Sequence, residues 1–448
     1  MVEIVGIRDE GLGNTSWLVD LGDGSALVVD PRRDPRPYVS ASRQRRLRIR
    51  FAAETHLHAD FVSGGRELAH ETGAQILAPA GADLAFGHTP VHDADGMDLG
   101  GLTLRVLATP GHTPEHVAFV LVDGAVPMAL FSGGTLTVGG TARPDLIAPD
   151  QTEPLARATW RSITERLLTL PDDLHVYPTH GGGSFCAAGV SGAASTTVGA
   201  ERTGNPLLQA SGEDAFVDRL LGGLGSYPGY FLRLRDVNRA GPPVYGTNTP
   251  PLRPIDVAAT RSLVAGGGVI VDVRPVTAYA AGHIVGSLSI ELRDGFATWL
   301  GWLVDDLTTP LVFVVDDDQD HDDLVRQCLN IGHERIAGAV AGGVQAWADA
   351  GEQVRSTPLL DRPAASGTVL DVRQASEWEQ GHVPEAVHIE LGALPERAAD
   401  LPAGRVVAHC MHGQRSMTAA SVLERVGHDD VAVFTGGPDQ WMTTDARE

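Results

Sequence analysis

Two groups of residues carry types and spacings that could do chemistry. The first is Val406-Val407-Ala408-His409-Cys410-Met411-His412-Gly413-Gln414-Arg415-Ser416. A short apolar run ends at Cys410, and helix-forming residues begin near Ser416. A cysteine between a strand end and a helix start meets backbone N–H groups that lack intrahelical partners, and these favour an anion. A thiol held there ionises more readily, and the thiolate is the nucleophile. Arg415 adds a planar cationic fork suited to an oxyanion, and His412 adds a further donor. Cys410, Arg415 and His412 are the catalytic candidates, with Gly413 and Ser416 expected to line the substrate.

The second group is Thr55-His56-Leu57-His58-Ala59-Asp60-Phe61, joined by His112 in Thr109-Pro110-Gly111-His112-Thr113-Pro114 and by His180 in Tyr177-Pro178-Thr179-His180-Gly181. Alternation along an extended chain places His56 and His58 on one side. Imidazole and carboxylate suit zinc or iron. His56, His58, His112, Asp60 and His180 are therefore the expected metal ligands. Cys186 follows the His180 loop, where it either lines the pocket or simply packs.

These groups need elements to hold them. Thr15–Asp20 and Ser25–Asp30 flank Gly22-Asp23-Gly24, a hairpin signal. Arg48–Ala53 reads as a strand running into His56, and Arg66–Thr72 as the helix after it. Residues 241–254 carry Pro242, Pro243, Pro250, Pro251 and Pro254, the composition of a stiff, extended linker. Beyond it the chain repeats. The same interval of 99 residues separates Asp272 from Asp371 and His283 from His382. Asp272/Arg274 and Asp371/Arg373 are expected to tie strand ends together. Short apolar strands alternate with helices in each copy, which predicts two small parallel α/β domains.

The chain has 448 residues and a formal net charge of −23, and all 34 of its basic residues are arginine. The acidic balance argues against nucleic acid or an anionic membrane as partner. No apolar run of about 18 residues is present to span a bilayer. Three cysteines cannot make a disulfide framework, and Met1–Arg8 shows no signal-peptide pattern, so a reducing cytoplasm is the expected compartment.

The Cys-x-x-Gly-x-Arg-Ser loop after an apolar strand resembles the rhodanese family of sulfurtransferases, as do Asp-Val-Arg, Gly-His-Ile/Val and Gly-Gly-x-x-x-Trp in both copies. That family implies a cysteine persulfide at Cys410. In the first copy, Leu311–Val315 leads into Asp316-Asp317-Asp318-Gln319-Asp320 without a cysteine, which implies a non-catalytic copy serving as interface or spacer. The three histidine loops resemble the metallo-β-lactamase superfold, an αββα sandwich. Thr141–Leu146, Gly183–Cys186, Thr196–Pro206 and Val237–Pro243 resemble its persulfide dioxygenase branch, which implies a substrate contact for Arg143. That branch implies iron held by His56, His112 and an aspartate where Gly134 stands. Phe61 likewise replaces the last histidine of His-x-His-x-Asp-His, so a two-metal centre of the glyoxalase II type is not expected.

The whole order resembles bacterial persulfide dioxygenase–sulfurtransferase fusions. The expected architecture is a metallo-β-lactamase sandwich over residues 1–245, an inactive rhodanese domain over 254–355 and an active one over 360–448. The expected function is sulfur transfer through Cys410, fused to a domain holding one iron or zinc ion. Expected partners are a small thiol persulfide, sulfite or thiosulfate, with the chain as a homo-oligomer. The alternatives are a sulfurtransferase with a non-catalytic N-terminal module, and a hydrolase of thioesters or lactams whose zinc is held by His56, His58 and His112.

Overall fold

The structure, a computed structural model, describes residues 2–188, 192–363 and 366–445. It divides into two compact units, Met1–Thr249 with Cys328–Gly332, and Pro250–Gln327 with His333–Glu448.

The first unit is built on two six-stranded sheets. Ile4–Asp9 (β1), Asn14–Asp20 (β2), Ser25–Val29 (β3), Arg48–Ala53 (β4), Gln75–Pro79 (β5) and Thr89–Val91 (β6) follow one another in chain order across the first sheet. Gly96–Asp98 (β7), Thr103–Ala108 (β8), Val117–Asp123 (β9), Val126–Gly133 (β10), His175–Pro178 (β11) and Thr196–Thr197 (β12) form the second. Period-2 alternation decides which side chains face where. Trp17 and Val19 of β2 enter the core between the sheets, against Val106, Phe119 and Phe131. Leu18 of β2 turns outward onto Tyr38, Val39 and Leu68, carried by the helices Arg36–Gln44 (α1) and Gly65–Thr72 (α2). Val120 of β9 does the same against Ile163 and Leu167. Each large apolar side chain buried this way contributes about 1.5–3 kcal/mol.

Pairing aligns β8, β10 and β11 in one direction, because β9 is antiparallel to β8 and β10 while β10 is parallel to β11. Their C-terminal ends share one edge, and His112, Gly134 and His180 follow those ends. The segment after β4 brings His56 to the same place.

The proline-rich stretch expected as a stiff linker holds the division between the units, at Thr249 and Pro250, and its first part is bound to the first unit. Arg66 of α2 donates to the Pro242 carbonyl, and Glu67 accepts the Tyr245 N–H at 3.0 Å and the Gly246 N–H at 2.6 Å. Proline lacks a donor, but its carbonyl is a good acceptor, so α2 straps the segment down.

The second unit holds two parallel five-stranded sheets of identical order. Pro254–Ile255 (β13), Val269–Asp272 (β14), Leu288–Ser289 (β15), Leu311–Val314 (β16) and Ile336–Val340 (β17) run β13-β17-β16-β14-β15. Leu359–Leu360 (β18), Thr368–Asp371 (β19), Val387–His388 (β20), Val406–His409 (β21) and Val431–Phe434 (β22) run β18-β22-β21-β19-β20. In both copies an Asp–Arg pair closes a turn. Arg274 forks onto Asp272 and reaches the Gly282 carbonyl at 2.8 Å, and Arg373 forks onto Asp371 and reaches Gly381 at the same 2.8 Å. His283 stacks on Tyr279 with centroids 3.9 Å apart, and His382 on Trp378 at 3.6 Å.

Register locates what the first copy lost. Asp272 pairs with Val314 and Asp371 with His409, so Val315 takes the place of Cys410. The two copies pack through Tyr279 and Ala280 against Met417, Ala420 and Val433. The helix Gln414–Arg425 (α3) presents Ser421 and Glu424 to the first copy. Ser421 accepts the Ser289 N–H at 3.0 Å, and Glu424 takes the Gly286 N–H at 3.0 Å and pairs with His283 at 3.1 Å. Among the described residues no helix is long and apolar enough to cross a membrane.

Candidate functional site

In the first unit, hydrogen bonds fix the protonation of three buried imidazoles. The Asp30 carboxylate can only accept, and it takes the Thr55 hydroxyl proton at 2.7 Å. Thr55 Oγ1 must then accept from His56 Nδ1, 2.8 Å away. The Asp60 carboxylate takes the Asn14 Nδ2–H at 2.9 Å, which orients the amide so that Asn14 Oδ1 accepts from His180 Nδ1 at 3.0 Å. His112 Nδ1 donates to the Arg143 carbonyl at 2.6 Å. All three Nε2 atoms therefore carry lone pairs. Burial, reinforced by the neighbouring histidines, pulls the His56 and His112 pKa values well below the ordinary range and keeps both rings neutral.

Two of these lone pairs face each other, with His180 Nε2 lying 3.4 Å from His56 Nε2. Two nitrogens about 3.4 Å apart is the spacing of neighbouring donors on a tetrahedral ion with bonds of about 2.0–2.1 Å. His112 Nε2 is buried without a hydrogen-bond partner. The ring centroids of His56, His112 and His180 lie 4.8–5.4 Å apart, and His180 belongs to two groups of converging ligand atoms, one with His56 and His58 and one with His112 and Cys186. Orphaned lone pairs on neutral rings, each held from behind by a hydrogen bond, fit a divalent metal.

His58 behaves differently from the expected ligand. Its Nε2 lies 3.3 Å from Asp30 and 3.4 Å from Glu54. Burial alone would lower its pKa, but the two carboxylates outweigh burial and push it up to about 10. Its ligand atom also lies within 4.8 Å of those of His56 and His180. Asp60 also stands behind the ligands, paired with Asn14 and 3.4 Å from His180 Nδ1. Phe61 stacks on His58 at 4.1 Å. Gly134 sits where a side chain would collide with the ligands: an added Cβ would lie 2.8 Å from His112 Cδ2 and 3.1 Å from His180 Cδ2. The Gly134 N–H donates instead to His116 Nε2 at 3.0 Å.

The side chain of Arg143 is 3% exposed and fully engaged, forked onto Asp145 at 2.7 Å and stacked over Tyr227 at 4.4 Å. It serves the centre through its carbonyl. Cys186 is fully buried, and its ligand atom lies within 4.8 Å of those of His112 and His180. Tyr230 donates to the Asp60 carbonyl at 2.9 Å, and Asn238 bridges the His58 and Phe61 carbonyls at 2.9 Å each, so both strap the ligand loop.

In the second unit Cys410 follows β21, and Gly413 turns the chain with φ 94° before α3 begins at Gln414. That left-handed turn suits glycine and brings the Gly413 N–H to 3.3 Å from Cys410 Sγ. Ser416 Oγ lies 3.5 Å from the sulfur. Cys410 is 2% exposed, seated on its own loop. His412 is exposed beside it. Arg415 forks onto Glu377 at 2.5 and 2.8 Å, a partner that sequence reading missed. In the first copy, Asp316 and Gln319 close the equivalent loop, the Asp316 N–H donating to Gln319 Oε1 at 3.0 Å.

This arrangement defines a histidine-lined metallo-β-lactamase domain joined to paired rhodanese-like domains. The metallo-β-lactamase superfamily model matches residues 9–180, and the rhodanese-like domain model matches 257–350 and 357–444. The chain belongs to the metallo-β-lactamase superfamily, as a fusion of a persulfide dioxygenase-like N-terminal domain to two rhodanese-like domains. It is 32% identical over 206 residues to the persulfide dioxygenase ETHE1 of Homo sapiens, covering 45% of this chain and 73% of that protein. It is 38% identical over 169 residues to a hydroxyacylglutathione hydrolase of Methylobacillus flagellatus, covering 37% of this chain and 62% of that enzyme. A metallo-beta-lactamase structure from Staphylococcus aureus superposes with a TM-score of 0.66 at 29% identity, over 76% of this chain and 98% of that one.

Proposed function

We propose that the chain transfers sulfane sulfur through Cys410 and uses the N-terminal metal centre to process a thiol persulfide. The observation that carries the first half is the seat of Cys410 Sγ on the Gly413 amide at the head of a 12-residue helix. Amides there stabilise a thiolate and then a terminal persulfide. With thiosulfate as donor, Cys410 Sγ attacks the outer sulfur. The donor S–S bond breaks, sulfite leaves with its electron pair, and the enzyme keeps a Cys–S–S⁻ group. A nucleophile, such as a small thiol, then takes the terminal sulfur and restores the thiolate. The shallow exposure of Cys410 favours small donors.

In the N-terminal domain, His56, His112 and His180 would hold one metal ion. A bound zinc would supply Lewis acidity, and a bound iron would add redox chemistry with O₂. The chain's own residues set the conditions. Thr55, Asn14 and the Arg143 carbonyl fix the imidazole tautomers. Imidazole donors leave positive charge on the ion, which favours an anionic persulfide beside it. The similarity to hydroxyacylglutathione hydrolases supports a second reading, thioester hydrolysis at one zinc held by these same imidazoles.

The test exposes purified protein to thiosulfate and reads the Cys410 peptide by mass spectrometry. A gain of one sulfur, absent in Cys410→Ser, is expected. An unmodified Cys410 overturns the transferase half. Persulfide-dependent O₂ uptake by iron-loaded protein separates oxidation from hydrolysis of S-acylglutathione.

A further inference from the structure

The carboxylate position of the centre is empty, and the space for it is filled. Any side chain at residue 134 would run into the His112 and His180 rings, 2.8 and 3.1 Å from its Cβ. A centre holding only neutral imidazoles still lacks an anionic donor. The described residues place one there. Cys186 is fully buried, and its sulfur shares a 4.8 Å sphere with the ligand atoms of His112 and His180. His112 Nε2 is itself buried and unpartnered, with its lone pair turned inward.

The cysteine is held there by its backbone. Its N–H donates to Ser184 Oγ at 3.2 Å, and its carbonyl accepts the Arg143 N–H at 2.8 Å. Arg143 thus offers its carbonyl to His112 and its amide to Cys186, so a single residue sets the separation of both donors. The thiol also hydrogen-bonds the Asp60 carboxylate, which stands behind His180.

The geometry points to Cys186 as a metal ligand, a thiolate joining His112 and His180 in place of the missing carboxylate. This rests on the metal-centre reading above and adds the identity of its anionic donor. Binding forms a metal–sulfur bond and releases the thiol proton to water, so one proton leaves per ion bound. The mixed nitrogen–sulfur donor set selects zinc or iron and disfavours magnesium, calcium and manganese.

The probe is cobalt(II) added to full-length protein carrying Cys410→Ser, which removes the other loop thiol. Stoichiometric cobalt with an intense near-ultraviolet sulfur-to-metal charge-transfer band is expected. Adding Cys186→Ser should abolish that band, leave the weaker visible bands, and lower cobalt affinity by about tenfold or more. Unchanged thermal unfolding and circular dichroism of the double variant would show that the fold survives. Stoichiometric cobalt without the band, or a band that survives Cys186→Ser, overturns the thiolate assignment and leaves the histidine centre standing. Failure of the Cys410→Ser protein to bind cobalt overturns both.

Discussion

His56 Nε2 and His180 Nε2 face each other as lone pairs across 3.4 Å, each imidazole held from behind by its own proton on Nδ1. With both Nε2 atoms turned to one side, the centre should bind metal stoichiometrically. His56→Ala and His180→Ala should each lose the ion on dialysis. Asn14→Leu, which touches no metal but orients His180, should weaken affinity by about 10–100-fold. Competition with a chelating dye measures all three. Full retention of metal by His180→Ala would count against the lone-pair reading.

Restoring the missing carboxylate should fail. Gly134→Asp places a Cβ 2.8 Å from His112 and 2.9 Å from the Ala142 methyl. Overpacking of this kind costs about 1–3 kcal/mol. The variant should melt earlier than the wild type and bind less metal, both readable by thermal unfolding with and without added zinc.

At the rhodanese loop, size should decide reactivity. Cys410 is 2% exposed, so thiosulfate should load it while a bulky maleimide reacts slowly with the native protein. After denaturation the maleimide should label it promptly. Rapid native labelling by the bulky reagent, read by mass spectrometry, would show a more open site than this geometry gives.

Glu377 occupies the fork that an incoming anion would use. Glu377→Gln keeps the helix cap, in which Glu377 accepts the Gln374 N–H at 3.1 Å, and removes the charge. The apparent KM for thiosulfate should fall about two- to fivefold, the size of a partly exposed ion pair. A Glu377→Gln enzyme with unchanged KM would mean that Arg415 does not meet the donor.

The same pair sets an acid dependence. Burial raises the Glu377 carboxyl, but the Arg415 hydrogen bonds outweigh it and hold the pKa below the ordinary value. A depressed folded pKa gives stabilisation that is present above the unfolded value and lost as pH falls through the folded one. The gap in melting temperature between wild type and Glu377→Gln should therefore be widest near neutrality and close on acidification.

Spacing made much of this legible. The His-x-His-x-Asp and Cys-x-x-Gly-x-Arg-Ser runs, the 99-residue repeat and the acidic run without cysteine are local patterns, and each lies at a strand end in the fold. What sequence could not give is direction. Alternation put His56 and His58 on one side, and the fold adds Asp30 and Glu54, from separate strand ends, at 3.3 and 3.4 Å from His58. Asn14, Thr55 and Glu377 carry no motif, since each acts through a partner between 1 and 166 positions away. Arg143 was expected as a substrate contact from the resemblance of Thr141–Leu146 to the persulfide dioxygenase branch; the fold adds that its carbonyl accepts from His112.

The Asp–Arg clamp and stacked histidine close within each copy, on Asp272, Arg274 and His283 or on Asp371, Arg373 and His382; Arg373 also touches Met411 of the Cys410 loop at 3.9 Å, yet the first copy closes its clamp with no cysteine in that loop. Architecture and reactivity are thus separable in this scaffold. One copy can carry Val315 and a chain of aspartates where the other carries Cys410, and still offer Tyr279 and Ala280 as a packing face for its twin.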